Sequence, residues 1–259
     1  MWIAVLGLIN IILFAFTVFF ILNRDKAKKI IFDPNFIIQR INENLLMLFL
    51  IFTVVAFHII EVLLIDPAVT NWIGYDYAND IQNIENGFVY WFSQNWTPGI
   101  VHFFVIIYIV IYPFTLWFSP LYFTIANKKK ALKSLAYGLL IIYILALPFY
   151  LFLPITNVYT FYETNSALDS VIPNIEQFFY STTTTNNCFP SLHTAMTILV
   201  AYCLSLTGNK KLKIFGYFVM ITVIMSVIYL SIHWIIDVVA GAMLALGAIF
   251  ILKHYIKDK

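Results

Sequence analysis

The stretch from residue 214 to 252 runs for 39 residues without a lysine or an arginine and is apolar almost throughout. As one helix, at 1.5 Å per residue, it would be about 58 Å long, nearly twice a hydrocarbon core of about 30 Å. It must therefore turn once. Its polar cluster runs from Tyr229 to Asp237, so the turn belongs there. Further apolar stretches lie at about 2–22, 45–65, 100–126, 134–154 and 191–206, and the long run divides into 214–231 and 233–252. With 62% apolar and 11% charged residues the chain lies outside the range of soluble globular domains. The expectation is an all-α polytopic membrane bundle of six or seven transmembrane helices, forming one integral membrane domain over residues 1–259. Residues 1–44 would be an N-terminal anchor followed by an interfacial helix.

The basic residues set an orientation. Arg24, Lys26, Lys28, Lys29 and Arg40 separate the first two spans, and Lys128, Lys129, Lys130 and Lys133 separate the third and fourth. Lys210, Lys211 and Lys213 follow the fifth, and Lys253, Lys257 and Lys259 follow the last. The loops 66–99 and 155–190 have no lysine or arginine. With seven spans every basic cluster falls on one side, which the positive-inside rule makes cytoplasmic. The expected protein is a multi-pass protein of the cell membrane with a cytoplasmic C-terminus. The first span, lacking a basic n-region and a cleavage site, is read as a retained N-out anchor. Asp33-Pro34 has the form of an N-cap with proline at N1, opening an amphipathic helix through Ile37, Ile41 and Leu45.

Other features carry less weight. His58 and Glu61, three apart in the second span, either help line a pocket or satisfy each other near the interface. The 66–99 loop carries Trp72, Tyr75, Tyr77, Tyr90, Trp91 and Trp96, a composition suited to the headgroup level, where the loop could roof a site. Asn95-Trp96-Thr97 is a glycosylation triplet close to the membrane and followed by Pro98. Cys188 and Cys203 sit at opposite ends of the fifth span, about 22 Å apart by helical rise, too far to bridge.

Two stretches carry chemistry. The first is Phe189-Pro190-Ser191-Leu192-His193-Thr194-Ala195, which follows a polar run and opens the fifth span. Pro190 suits a first helical turn, and a helix start offers free N–H groups and a positive dipole end to a phosphate. A histidine there can exchange a proton with a bound phosphoryl group, or can simply snorkel to the interface. The second stretch is His233-Trp234-Ile235-Ile236-Asp237-Val238-Val239-Ala240-Gly241. At spacing i, i+4, His233 and Asp237 share one helix face. A carboxylate inside a span costs roughly 2.5–3.5 kcal/mol and needs a partner. Bonded to one ring nitrogen it makes the other a better nucleophile; otherwise the pair only seals the bundle.

Together the two stretches resemble the type 2 phosphatidic acid phosphatase superfamily, most closely its inositol phosphorylceramide synthase-like, lipid phosphotransferase branch. That branch carries Phe-Pro-Ser-Leu-His-x-Ala at the start of one membrane helix and His-Tyr/Phe-x-x-Asp-x-x-Ala-Gly at the start of a later one, and Trp234 is the one change here. The resemblance covers about residues 100–254. It implies metal-independent phosphoryl transfer on a lipid phosphate or diphosphate through a phosphohistidine, at the extracytoplasmic face. By that resemblance His233 is the nucleophile and Asp237 orients it. His193 protonates the leaving oxygen and then activates the acceptor, either water or an alcohol, and Ser191 is a phosphate ligand.

The wider superfamily holds the phosphate with Lys-x6-Arg-Pro and with the arginine of Ser-Arg-x5-His. Here the sequence near 153–157 has no basic residue, and Val227 follows Ser226. Neutral ligands must substitute: Ser191, Asn157, Asn187, the 182–185 threonine run, Tyr229 and helix-end amides. No resident cofactor is expected, although a divalent cation could stand where the basic ligands are missing. Expected partners are membrane lipids and the lipid phosphate, with no nucleic acid. The competing class is a catalytically inactive lipid-binding or transport protein on the same scaffold.

Overall fold

The structure, a computed structural model, describes residues 2–21, 33–180 and 183–256. Arg24, Lys26, Lys28, Lys29, Thr182, Lys257 and Lys259 lie outside the described residues. The architecture is an all-α membrane bundle, with no strand among the described residues. Among the described residues six helices are long and apolar enough to cross a membrane: α1 (Trp2–Ile21), α3 (Leu45–Ile73), α6 (Pro98–Ile125), α7 (Lys129–Phe152), α12 (Lys210–Tyr229) and α13 (Ile235–Tyr255). A shorter apolar helix, α11 (Leu192–Ser205), is packed among them. Large apolar side chains on the outer faces, such as Phe16, Leu64 and Phe250, are exposed, which suits a hydrocarbon solvent.

Helix starts follow local chemistry. Asp33 caps α2 (Pro34–Glu43), its Oδ1 accepting the Phe36 N–H at 3.1 Å with Pro34 in the first turn. Asn209 caps α12 in the same way. Between α3 and α6 lie two short helices, α4 (Ala78–Glu85) and α5 (Phe88–Gln94). Three more, α8 (Val158–Phe161), α9 (Ala167–Val171) and α10 (Ile175–Phe179), lie between α7 and α11.

Two helices contain a widened π-type turn, at Glu61–Ile65 in α3 and Ile107–Ile111 in α6. A proline follows each, Pro67 and Pro113. A proline ring clashes with the carbonyl four residues back and removes a donor, and a widened turn relieves both problems. The second span therefore does not end near residue 65, as expected from the sequence, but continues to Ile73 with Asp66 buried inside it.

The bundle has two chemically distinct ends. At one, Lys128 Nζ donates to the Thr207 carbonyl at 2.6 Å, just past the C-terminus of α11. Lys211 lies over the Phe20 ring and Lys253 over the Tyr202 ring. At the other end the two loops without lysine or arginine pair with each other. The Tyr77 N–H donates to the Pro154 carbonyl at 3.0 Å, and Tyr90 stacks on Tyr162 at 3.8 Å. Ile155 bridges to Asn187.

Helix α13 enters at this second end and packs against the start of α11. Gly241 makes the close approach feasible, since a Cβ there would fall 2.3 Å from the Ser191 carbonyl oxygen. One backbone bond ties the two helix starts, the Ser191 N–H donating to the Asp237 carbonyl at 3.0 Å.

Candidate active site

The turn between α12 and α13 is longer than the expected division of the run at residue 232. It spans Leu230 to Trp234, with Ser231 at φ +56°, and α13 begins only at Ile235. His233 therefore precedes the helix, and the expected shared helix face with Asp237 is not what joins them. Asp237 is the third helical residue and its carboxylate folds back to the helix start. Oδ2 accepts the Trp234 N–H at 2.9 Å and lies 3.3 Å from His233 Nδ1. One carboxylate oxygen thus caps the helix and holds the imidazole.

Trp234 anchors this turn. It is fully buried, its Nε1–H donates to the Thr156 carbonyl at 2.9 Å, and its ring packs on Phe161 and Tyr162. A second carboxylate reaches the same helix start from the roof: Glu85 Oε1 accepts the Ile236 N–H at 2.9 Å. Partial burial pushes the Glu85 carboxyl up, although its helix N–H bonds oppose this. The aromatic 66–99 loop accordingly packs on the motif through Glu85 and through the Ser231 hydroxyl, which donates to the Val89 carbonyl at 3.2 Å.

Helix α11 begins at Leu192, two residues later than Pro190 suggests. Ser191 is its N-cap, and the Ser191 hydroxyl accepts the Thr194 N–H at 3.3 Å. Pro190 lies before the helix, and its carbonyl accepts the Tyr150 hydroxyl at 2.8 Å. His193 Nδ1 lies 3.1 Å from His233 Nε2. The two imidazoles touch and leave no phosphoryl-sized gap between them, since in this low-dielectric setting each ring nitrogen takes the nearest partner.

The far nitrogen of His193, Nε2, is 2.9 Å from the Tyr108 hydroxyl. Sequence reasoning missed Tyr108. It sits in the widened turn of α6, and the signal that could have found it is a polar-tipped aromatic five residues before an in-span proline. The rings of Tyr108, Tyr112 and Phe179 enclose the His193 imidazole.

The four side chains form one directional chain when protons are assigned from it. The Tyr108 O–H donates to His193 Nε2, the His193 Nδ1–H donates to His233 Nε2, and the His233 Nδ1–H donates to Asp237. Both imidazoles are then neutral, and the lone pair on His233 Nε2 faces His193. Burial holds the His233 imidazole below its ordinary range, in keeping with that neutral form.

Beside this chain lies a small cavity whose lining includes both histidines, Asn157, Asn187, Cys188 and Thr184. Of the neutral phosphate ligands expected from sequence, Asn157 and Asn187 are brought to it, with Thr183 and Thr184 of the threonine run. Ser191 is fully buried as a helix cap and does not line it. Tyr229 is directed elsewhere: its hydroxyl accepts the Thr97 N–H at 2.9 Å and its carbonyl accepts the Trp96 Nε1–H.

Asn157 and Asn187 are themselves tied. Asn157 Oδ1 caps α8 through the Thr160 N–H, and its Nδ2 donates to Tyr180. Asn187 Nδ2 reaches Glu61 at 3.4 Å. Glu61, fully buried in the widened turn of α3, also accepts the Tyr143 hydroxyl at 3.2 Å and lies 3.4 Å from His58 Nδ1. The His58–Glu61 pair therefore reaches the cavity through Asn187 and is not sealed within its own helix.

Fold and site together define a membrane-embedded helical protein with two imidazoles and a carboxylate in one hydrogen-bonded line. The chain belongs to the PAP2 superfamily, whose sequence model matches residues 83–251. Membership points to phosphatase or phosphotransferase chemistry on phosphate esters. Searches of curated proteins and of solved structures found no match.

Proposed function

We propose that the protein is a lipid phosphatase or phosphotransferase, acting on a lipid phosphate or diphosphate through a phosphohistidine on His233. The observation that carries this reading is the hydrogen-bonded line Tyr108–His193–His233–Asp237 beside a cavity. The phosphoryl group enters between the imidazoles and opens their hydrogen bond. His193 takes up a proton as the phosphate arrives, and its imidazolium faces the leaving oxygen.

The lone pair on His233 Nε2 then forms the N–P bond while the P–O bond to the lipid breaks. The leaving oxygen takes the His193 proton, and Asp237 balances the charge that develops on His233. In the second half, water or an alcohol gives its proton to His193 as its oxygen attacks phosphorus and the N–P bond breaks. The inositol phosphorylceramide synthase-like branch, with an alcohol acceptor, is the finer assignment that the two motifs favour. Basic residues gathered at the opposite end of the bundle support an extracytoplasmic site.

Tyr108 acts through His193. Its hydroxyl can donate to the neutral imidazole and, after rotating, accept from the imidazolium, so it fits both halves of the cycle. Tyr108→Phe leaves a buried nitrogen unpaired, a cost of about 1–3 kcal/mol that corresponds to roughly a ten- to a hundredfold lower kcat. KM should change little, and a loss confined to KM would remove Tyr108 from this role.

Among the described residues no lysine or arginine lines the cavity. The phosphate is held by Asn157, Asn187, the threonines and helix-end amides, which bind more weakly than charged donors. Affinity then rests on the lipid tail, at about 0.8 kcal/mol per buried methylene. Turnover of long-chain lipid phosphates should exceed that of soluble esters by orders of magnitude, persist in chelator and be weakly inhibited by inorganic phosphate. Phosphate release from a substrate panel by the purified protein measures this. Equal turnover of both classes would rule the tail-dependent reading out.

A further inference from the structure

Cys188, His233 and Asp237 offer a sulfur, a ring nitrogen and a carboxylate oxygen that all lie within 4.8 Å of one another, and all three residues are buried. The phosphoryl-transfer scheme uses two of them and leaves two atoms without a task. Among the described residues Cys188 Sγ makes only long contacts, 3.7 Å to the Ile232 carbonyl and 3.9 Å to that of Thr185. Asp237 Oδ1 has no hydrogen-bond partner among them, although the residue is 0% exposed. A buried carboxylate oxygen normally has a donor, and its lack of one marks a place for a cation.

We propose that Cys188, His233 and Asp237 form an inhibitory site for a thiophilic divalent ion of the zinc type. This rests on His233 being the nucleophile. Sulfur, imidazole and carboxylate are a zinc-type donor set, whereas magnesium and calcium prefer oxygen alone. Three protein ligands leave a fourth position, which the cavity bordered by Cys188 and His233 can supply with water. Binding displaces the Cys188 thiol proton. The ion's double charge is then matched by one thiolate and one carboxylate, so the buried cluster is neutral and its desolvation cost is low.

The ion stops catalysis whichever ring nitrogen it takes. Bound at Nε2, it consumes the attacking lone pair. Bound at Nδ1, it leaves the ring proton on Nε2, so the attacking lone pair is again lost. In both cases Asp237 is drawn to the metal and no longer orients the imidazole.

The test uses the full chain in detergent, stripped of metal and titrated with Co2+. We expect one Co2+ per chain with a thiolate-to-cobalt charge-transfer band, displaced by Zn2+. The band should be lost in Cys188→Ser and Cys188→Ala and kept in Cys203→Ser, the other buried free cysteine. In the turnover assay Zn2+ should inhibit reversibly with chelator, and loss of the Cys188 ligand should weaken Zn2+ by at least the roughly ten- to hundredfold that loss of an outer-shell partner costs in metal affinity.

A missing band, or one that survives both Cys188 variants, overturns the site. Active enzyme that Zn2+ does not inhibit overturns it as well. A band that depends on Cys188, in protein that turns over no phosphate ester, keeps the metal site and removes the catalytic reading instead.

Discussion

Replacing His233 with alanine is expected to lower turnover of a long-chain lipid phosphate by about 10⁴- to 10⁶-fold, as loss of a covalent nucleophile does. His233 Nε2 carries the lone pair that faces His193, and the other cavity nitrogens belong to amides or to His193 itself. The assay pairs turnover with trapping of an acid-labile phosphoenzyme from labelled substrate. Wild type should trap label and His233→Ala should not. The His193→Ala variant makes a useful contrast, because loss of an acid–base group costs about 10²–10⁴. It should still trap label from a substrate whose leaving group needs no proton. A His233→Ala protein that traps label or turns over normally would end the phosphohistidine mechanism.

Asp237→Asn is expected to cost about 10²- to 10⁴-fold in kcat while leaving the bundle folded, by the logic of a triad carboxylate whose charge stabilises a forming imidazolium. Oδ2 both accepts the Trp234 N–H and holds His233 Nδ1, so an amide oxygen in its place keeps the cap at the start of α13 and the bond to the ring. The carboxylate's charge is lost, so nothing balances the positive charge that develops on His233 as the N–P bond forms. The rate falls through electrostatics, with almost no change of shape. Turnover is compared with thermal stability in the same detergent. Near-normal activity would show that the His233–Asp237 pair is structural, and a large loss of stability would show that the carboxylate's main work is in the fold.

The two motifs illustrate what could be read in advance. His193, His233 and Asp237 stand out because polar, titratable residues at the ends of long apolar runs need partners, and because their types and order match a family pattern. The manner of their meeting was not legible. The i, i+4 spacing suggests one helix face, yet α13 starts after His233, and Asp237 reaches back as a cap. The family resemblance makes Ser191 a phosphate ligand, but its place as the helix N-cap gives its hydroxyl to the helix's own Thr194 N–H. Tyr229 looked available because it is polar in an apolar run, and the roof loop claims it through Thr97 and Trp96.

By itself the sequence determined the class of solvent, the helical content and the grouping of charge. Apolar runs longer than a bilayer core leave the backbone no choice but to bond within helices. The distribution of lysine and arginine likewise separates the ends of the bundle before any helix is packed. Only the tertiary structure decided which polar groups inside that bundle meet. Tyr108 is 85 residues from His193 and reaches it because Pro113 widens a turn of α6. Glu85 is 151 residues from the helix start that it caps. Such contacts depend on how helices are rotated and offset against one another. Close packing fixes those quantities, at Gly241 against Ser191 for example, and hydrophobic periodicity leaves them free.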